Sequence, residues 1–150
     1  MRLFFAIAAA EGMFVTFADT TNAYQQAPAP TEQCYLNVDD AYRSWHLKRH
    51  GCDVDPRTHV IPVLKAIQGH PEAGALWERM ITGILNDLGF KSTTHERNLY
   101  RGNVDGHAVL LCRQVDDYAI ACRDPATAEK IIARINDKAS TDSSGVGQRY

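Results

Sequence analysis

Two adjacent acids, Asp116 and Asp117, separate two apolar, β-prone runs in the last third of the chain. Like charges within one short turn repel, and acids beside a core lose hydration, so a bound divalent cation would compensate both costs. Asp19 follows a third apolar run, residues 13–18. If these strands are neighbours in one sheet, the three carboxylates converge. Ordinary turn chemistry is the alternative interpretation of the pair, because Asp is common in turns.

Oxygen ligands of this kind suit Mg²⁺, which binds a few carboxylates together with water and substrate phosphate. Two such ions support phosphoryl transfer, in which one activates the attacking hydroxyl and the other steadies the leaving pyrophosphate. The three acids therefore predict a two-ion site for nucleotidyl transfer.

The elements that must position these acids alternate helices with strands. Apolar periodicity and capping residues predict helices over residues 3–11, 40–49 and 71–88, and a last helix that opens at Asp124 and Pro125. Extended runs predict strands over 13–18, 34–38, 59–65, 98–103, 107–114 and 118–122, and residues 22–31 form a loop or short helix. The last two strands form a hairpin with the acidic pair at its tip. The pattern predicts an α+β fold, an antiparallel sheet with helices packed on one face.

Composition limits the function classes. The chain has 150 residues, 45% of them hydrophobic, which favours one domain. Its net charge is -2, with 16 basic and 18 acidic residues, so the whole chain lacks the basic footprint of a nucleic-acid binder. Four scattered cysteines do not form a disulfide framework and favour an intracellular, cytoplasmic protein. Residues 140–150 are polar and rich in Ser and Gly, which predicts a disordered tail.

The N-terminus allows two interpretations. Met1 and Arg2 precede an apolar run over residues 3–10, as in a short secretory signal. A core helix is the alternative, because Glu11 and Gly12 lead directly into a strand-like run that makes little sense as a cleaved terminus. No segment reaches the roughly 18 apolar residues of a membrane span, so no membrane partner is expected.

Five motifs in order resemble the reverse transcriptases of copia-type retrotransposons. They are DTTNAY at residues 19–24, KAIQGHPEAGALW at 65–77, LGF at 88–90, NLY at 98–100 and QVDD at 114–117. The resemblance covers residues 2–138. Two departures are Gln114, where most of the family has an aromatic residue, and Pro71-Glu72, where many members have Lys and Gln.

The resemblance implies an RNA-directed DNA polymerase in which residues 1–139 form part of the reverse-transcriptase palm. Asp19 and Asp116 would be the principal ligands of two Mg²⁺ or Mn²⁺ ions, with Asp117 as the supporting acid. The implied partners are an RNA or DNA template-primer, deoxynucleoside triphosphates, and the fingers, thumb and RNase H domains of the polyprotein. Because catalysis requires template, primer and nucleotide in one geometry, we expect residues 1–150 alone to polymerise weakly or not at all.

The resemblance also implies a nucleotide pocket. The ring of Tyr24 would lie against the sugar and obstruct a 2′-hydroxyl, and Gln68 and Gly69 would line the same pocket. Without the motif, Tyr24 would be a half-buried core aromatic and Gln68 a surface amide.

Two other functions remain open at this stage. Cys34, His46, His50 and Cys52 have side chains suitable for zinc, although their spacing lacks the close pairs of a typical structural site, and a basic helix face is the ordinary interpretation. The chain would otherwise be a non-catalytic transposon remnant that serves in binding or structure.

Overall fold

The computed structural model describes residues 2–139 and, for the backbone only, residues 141–149. Its helices in chain order are α1 (Arg2–Ala10), α2 (Ala23–Gln26), α3 (Asp40–His50), α4 (Ala73–Asp87) and α5 (Pro125–Asn136). Its strands are β1 (Phe14–Thr20), β2 (Tyr35–Asn37), β3 (Val60–Pro62), β4 (Lys91–Ser92), β5 (Leu99–Val104), β6 (His107–Gln114), β7 (Asp117–Cys122) and β8 (Thr141–Arg149). The predicted mixture of helices with an antiparallel sheet is confirmed.

The main sheet has the order β4-β5-β6-β7-β1-β8 and is antiparallel throughout. Strands β2 and β3 form a separate antiparallel pair. Asp105 and Gly106 join β5 to β6 with positive φ at both residues, 52° and 85°. This is the backbone that a two-residue hairpin requires, and it explains the Asp-Gly pair.

Helix α4 presents one apolar stripe to the core, as its spacing predicts. Its buried residues are Ala73, Leu76, Trp77, Ile81, Ile84 and Leu85. Gly89 follows with φ 86°, the left-handed conformation that commonly ends a helix. The helix begins two residues later than predicted, at Ala73.

Helices cover both faces of the sheet, so the predicted one-sided packing is wrong. On one face α4 and α5 pack with Tyr118 and Ile120, and on the other α1 contributes Phe4 and Ala8 to a second core. The physical reason lies in β6 and β7, which are apolar on both faces over residues 108–112 and 118–122. Strands apolar on both faces require cover on both.

Helix α1 is therefore a core helix, with Phe4 only 1% exposed and Ala8 fully buried. Across residues 2–139 and 141–149, no helix has the length and hydropathy needed to cross a membrane.

The C-terminal segment differs from the predicted disordered tail. Thr141–Arg149 forms strand β8, which pairs antiparallel with β1. Backbone groups at the edge of β1 can pair with any extended segment, whatever its side chains. A prediction of disorder from amino-acid composition takes no account of such pairing. Ser140 and Tyr150, which the tail prediction also covered, lie outside the described residues.

Candidate active site

Asp19 and Asp117 lie directly opposite each other where β1 pairs with β7. The next residue, Thr20, donates its backbone N–H to the Asp116 carbonyl at 2.9 Å. Thr20 and Asp116 thus occupy a hydrogen-bonded position of the ladder, and Asp19 and Asp117 a non-hydrogen-bonded one. At such positions side chains come closest, with Cβ atoms about 4.5–5.5 Å apart. The structure therefore brings the three predicted acids to one end of the β1–β7 ladder.

Asp19 and Asp117 lie on the sheet face that α1 partly covers. The side chain of Asp117 lies on the same face of β7 as those of Ala119 and Ala121, because every second residue of a strand shares a face. Both alanines belong to the core that α1 covers. Gln114 lies opposite Asp117 on β6, so that Gln114, Asp117 and Asp19 form a row across three strands. This row is an open polar edge on an otherwise apolar face.

The surroundings of Asp19 disfavour its ionisation. Partial burial raises the pKa of Asp19, and the charges of Asp116 and Asp117 raise it further. Asp19 and Asp116 are half-buried, whereas Asp117 is exposed. The concentration of negative charge thus destabilises the ionised form of Asp19, and a cation at this end of the ladder would relieve it.

Beneath the acids, on the α4 face, Thr20 donates its hydroxyl to the Tyr118 hydroxyl at 3.1 Å. Burial raises the pKa of Tyr118 to about 12. This neutral hydrogen bond joins the ends of β1 and β7 on the α4 face of the sheet.

The turn before the acids contains two contacts that sequence reasoning missed. The Val115 carbonyl accepts the Trp77 indole N–H at 2.8 Å and an N–H of the Arg113 guanidinium at 2.9 Å. Arg113 is only 2% exposed and also pairs with Glu78. The apolar spacing of α4 predicts that Trp77 packs in the core and gives no sign of this contact. A signal was present for Arg113, since a buried arginine beside the apolar run of β6 must have a charged or hydrogen-bonding partner.

The predicted nucleotide-pocket residues are distributed differently. Tyr24 is half-buried and lines a cavity of about 170 Å³ whose other lining residues are Gly74, Trp77, Glu78, Asn98, Arg113, Gln114 and Val115. Gln68 and Gly69 are exposed and do not line this cavity. Their segment joins that of Tyr24 nearby, where Ala66 N–H donates to the Ala27 carbonyl at 3.2 Å.

In the described part of the chain, no group of three or more His, Cys, Asp or Glu side chains is arranged to hold a metal ion. For the aspartates the donor type and the shared neighbourhood suit Mg²⁺, although their side chains are not arranged as a ready ligand set.

The four candidate zinc ligands are not assembled either. Cys34 lies 3.5 Å from the Nε2 of His70, which was not among the predicted ligands. The rings of His46 and His50 contact each other at 4.6 Å, and Nδ1 of His46 donates to the backbone carbonyl of Cys52 at 3.1 Å. These contacts favour an ordinary helix face over a zinc site.

Neither the protein-family models nor the curated proteins that were compared with this chain gave a match.

Proposed function

We propose that the chain is part of the palm of a copia-type RNA-directed DNA polymerase, with Asp19, Asp116 and Asp117 as its catalytic acids. One observation carries the proposal. Acids about a hundred residues apart in the chain meet at one end of the β1–β7 ladder, where Asp19 lies opposite Asp117 and Thr20 bonds to the Asp116 backbone. A hairpin whose acids had only turn chemistry would not need a third acid on the neighbouring strand.

The aspartates would hold two Mg²⁺ or Mn²⁺ ions through their carboxylate oxygens. When bound, such ions supply charge neutralisation and activation of the attacking hydroxyl. The contribution of the chain is position: β1 and β7 fix Asp19 and Asp117 through their ladder, and the Val115 turn fixes Asp116. Preorganised charge of this kind is the main resource of a phosphoryl-transfer site.

Tyr24 would line the nucleotide pocket, and Gln68 and Gly69, which lie outside its cavity, would contribute from the neighbouring segment. Tyr24 is the second residue of the short helix α2, which follows β1 after two intervening residues. A deoxynucleoside triphosphate and a template-primer are the proposed substrates, and the fingers, thumb and RNase H domains of an intracellular polyprotein are the proposed partners.

The decisive experiment titrates Mn²⁺ into the full chain and follows free Mn²⁺ by electron paramagnetic resonance. We expect binding by the unsubstituted chain and loss of most of it in Asp19→Asn and Asp116→Asn, because each removes a charged ligand. Asp105→Asn is the matched control. That acid also lies in a hairpin turn, but it pairs with Lys130 at 2.9 Å.

Equal binding by all four proteins would refute the metal site and with it the polymerase. If Mn²⁺ binds at the aspartates, single-nucleotide primer extension with excess protein tests the chemistry. Extension that both Asp→Asn variants abolish would support the polymerase. Metal binding without extension, even after addition of the proposed fingers and thumb domains, would favour a non-catalytic remnant.

A further inference from the structure

Val115 has an unusual backbone for its residue type. Its φ is 58°, in the left-handed region. Two-residue hairpin turns need positive φ at this position and normally take Gly, Asn or Asp there. A β-branched residue in this region is a genuine outlier, because its side chain crowds the backbone. Some other contact must hold the turn in place.

That contact is made at the Val115 carbonyl. The indole of Trp77, from α4, and the guanidinium of Arg113, from β6, both donate to this one oxygen, at 2.8 and 2.9 Å. A carbonyl oxygen has two lone pairs, so its acceptor capacity is filled. The next residue is Asp116, and the carbonyl therefore fixes the peptide plane from which that acid begins.

The arrangement is a poor device for stability alone. Arg113 is 2% exposed, and its Nε has no hydrogen-bond partner among the described residues. Burial of the guanidinium costs desolvation, and its ion pair with Glu78, which is 51% exposed, offsets only part of that cost. A buried arginine with one unsatisfied N–H, next to a strained turn, is better explained by the geometry that it imposes.

We propose that Trp77 and Arg113 are positioning residues that hold the Val115 turn in its left-handed conformation and thereby place Asp116 for cation binding. The inference rests on the proposed function, because it assigns these residues to the same carboxylate site. Neither residue contacts the acids themselves through a hydrogen bond, and both act through the Val115 carbonyl.

The first test is Trp77→Phe, which keeps an aromatic ring but removes the N–H donor. We expect Mn²⁺ affinity to fall about 3- to 10-fold, the factor that corresponds to one net hydrogen bond. Ile81→Val is the matched control, since it lies fully buried one turn further along α4 and destabilises the core without touching the turn. Its Mn²⁺ affinity should be unchanged. Equal weakening in both variants would overturn the inference.

A rescue experiment separates positioning from general packing. Glycine adopts positive φ without strain, so Val115→Gly should no longer need the two donors. Trp77→Phe combined with Val115→Gly should regain most of the lost Mn²⁺ affinity, whereas Ile81→Val should gain nothing from it. Failure of the glycine to restore affinity would overturn the proposal. If Trp77→Phe does not fold, Arg113→Lys is tested in the same way.

The outcomes for the two proposals remain distinguishable. If the unsubstituted chain binds Mn²⁺ no better than Asp116→Asn, the proposed function fails. The positioning role of Trp77 and Arg113 is then tested by nuclear magnetic resonance without metal. Trp77→Phe should shift the Asp116 amide resonance and Ile81→Val should not, and an unmoved Asp116 resonance would refute the positioning role by itself.

Discussion

Asp19→Asn should make the metal-free protein more stable at neutral pH. Burial, and then the charges of Asp116 and Asp117, raise the pKa of Asp19. A carboxyl whose pKa is higher in the folded state supports folding fully below its unfolded pKa of about 3.8–3.9, and this support is lost as pH rises through the folded value. The substitution should therefore stabilise the protein at neutral pH and have little effect near pH 3.

The magnitude follows from the register. Opposite side chains at a non-hydrogen-bonded position are about 5 Å apart, and two unit charges at that distance in water repel by about 0.8 kcal/mol. Like charges directly opposite in a sheet cost about 0.2–1 kcal/mol. Because the site is largely open to solvent, we expect a gain of about 0.5 kcal/mol at low ionic strength. High salt should remove most of it.

Urea denaturation followed by circular dichroism, at neutral pH and near pH 3, measures the effect. Asp105→Asn is the control of opposite sign, because a hydrogen bond and charge from Lys130 lower the pKa of that acid, and its loss should destabilise the protein at neutral pH. Mg²⁺ should make the unsubstituted protein more stable than Asp19→Asn at neutral pH. At ten times its Kd it would stabilise the unsubstituted protein by about 1.4 kcal/mol and leave Asp19→Asn unchanged.

A loss of stability in Asp19→Asn at neutral pH would refute the reasoning. So would a gain of the same size near pH 3, or one that high salt leaves unchanged. Any of these would mean that the three carboxylates do not share one electrostatic neighbourhood.

Three further predictions concern the framework of the site. Gly102→Ala should cost about 1–3 kcal/mol in urea denaturation, because its Cβ would come within 2.7 Å of the buried Phe90 ring; Phe90→Leu should recover part of the loss. Burial raises the pKa of Tyr118 to about 12, so the tyrosinate absorbance step at the highest pH should disappear in Tyr118→Phe. In the unsubstituted protein, the stability that neutral Tyr118 contributes below pH 10 should be lost as the pH rises toward 12. Asp124→Ala should lose about 1 kcal/mol, measured in the same way, because the Asp124 side chain caps α5.

The sequence predicted those elements whose signals are local. The apolar stripe of α4 and the start of the last helix at Asp124 each depend on a few neighbouring residues, and both occur in the structure. The strands that carry the acids were also correct within two residues. Local periodicity and capping are short-range effects, so a single sequence contains them.

Tertiary structure alone decided how these elements meet. No local signal specified that Asp19 faces Asp117, since a shift of one residue in the β1–β7 register would have turned Asp19 to the other face of the sheet. Nor could the sequence show that Trp77 donates to Val115, 38 residues away, or that α1 covers the face opposite α4. The sequence by itself determined that the three residues are acids. Their meeting depended on long-range strand pairing and on core packing from both faces, which are collective properties of the folded sheet.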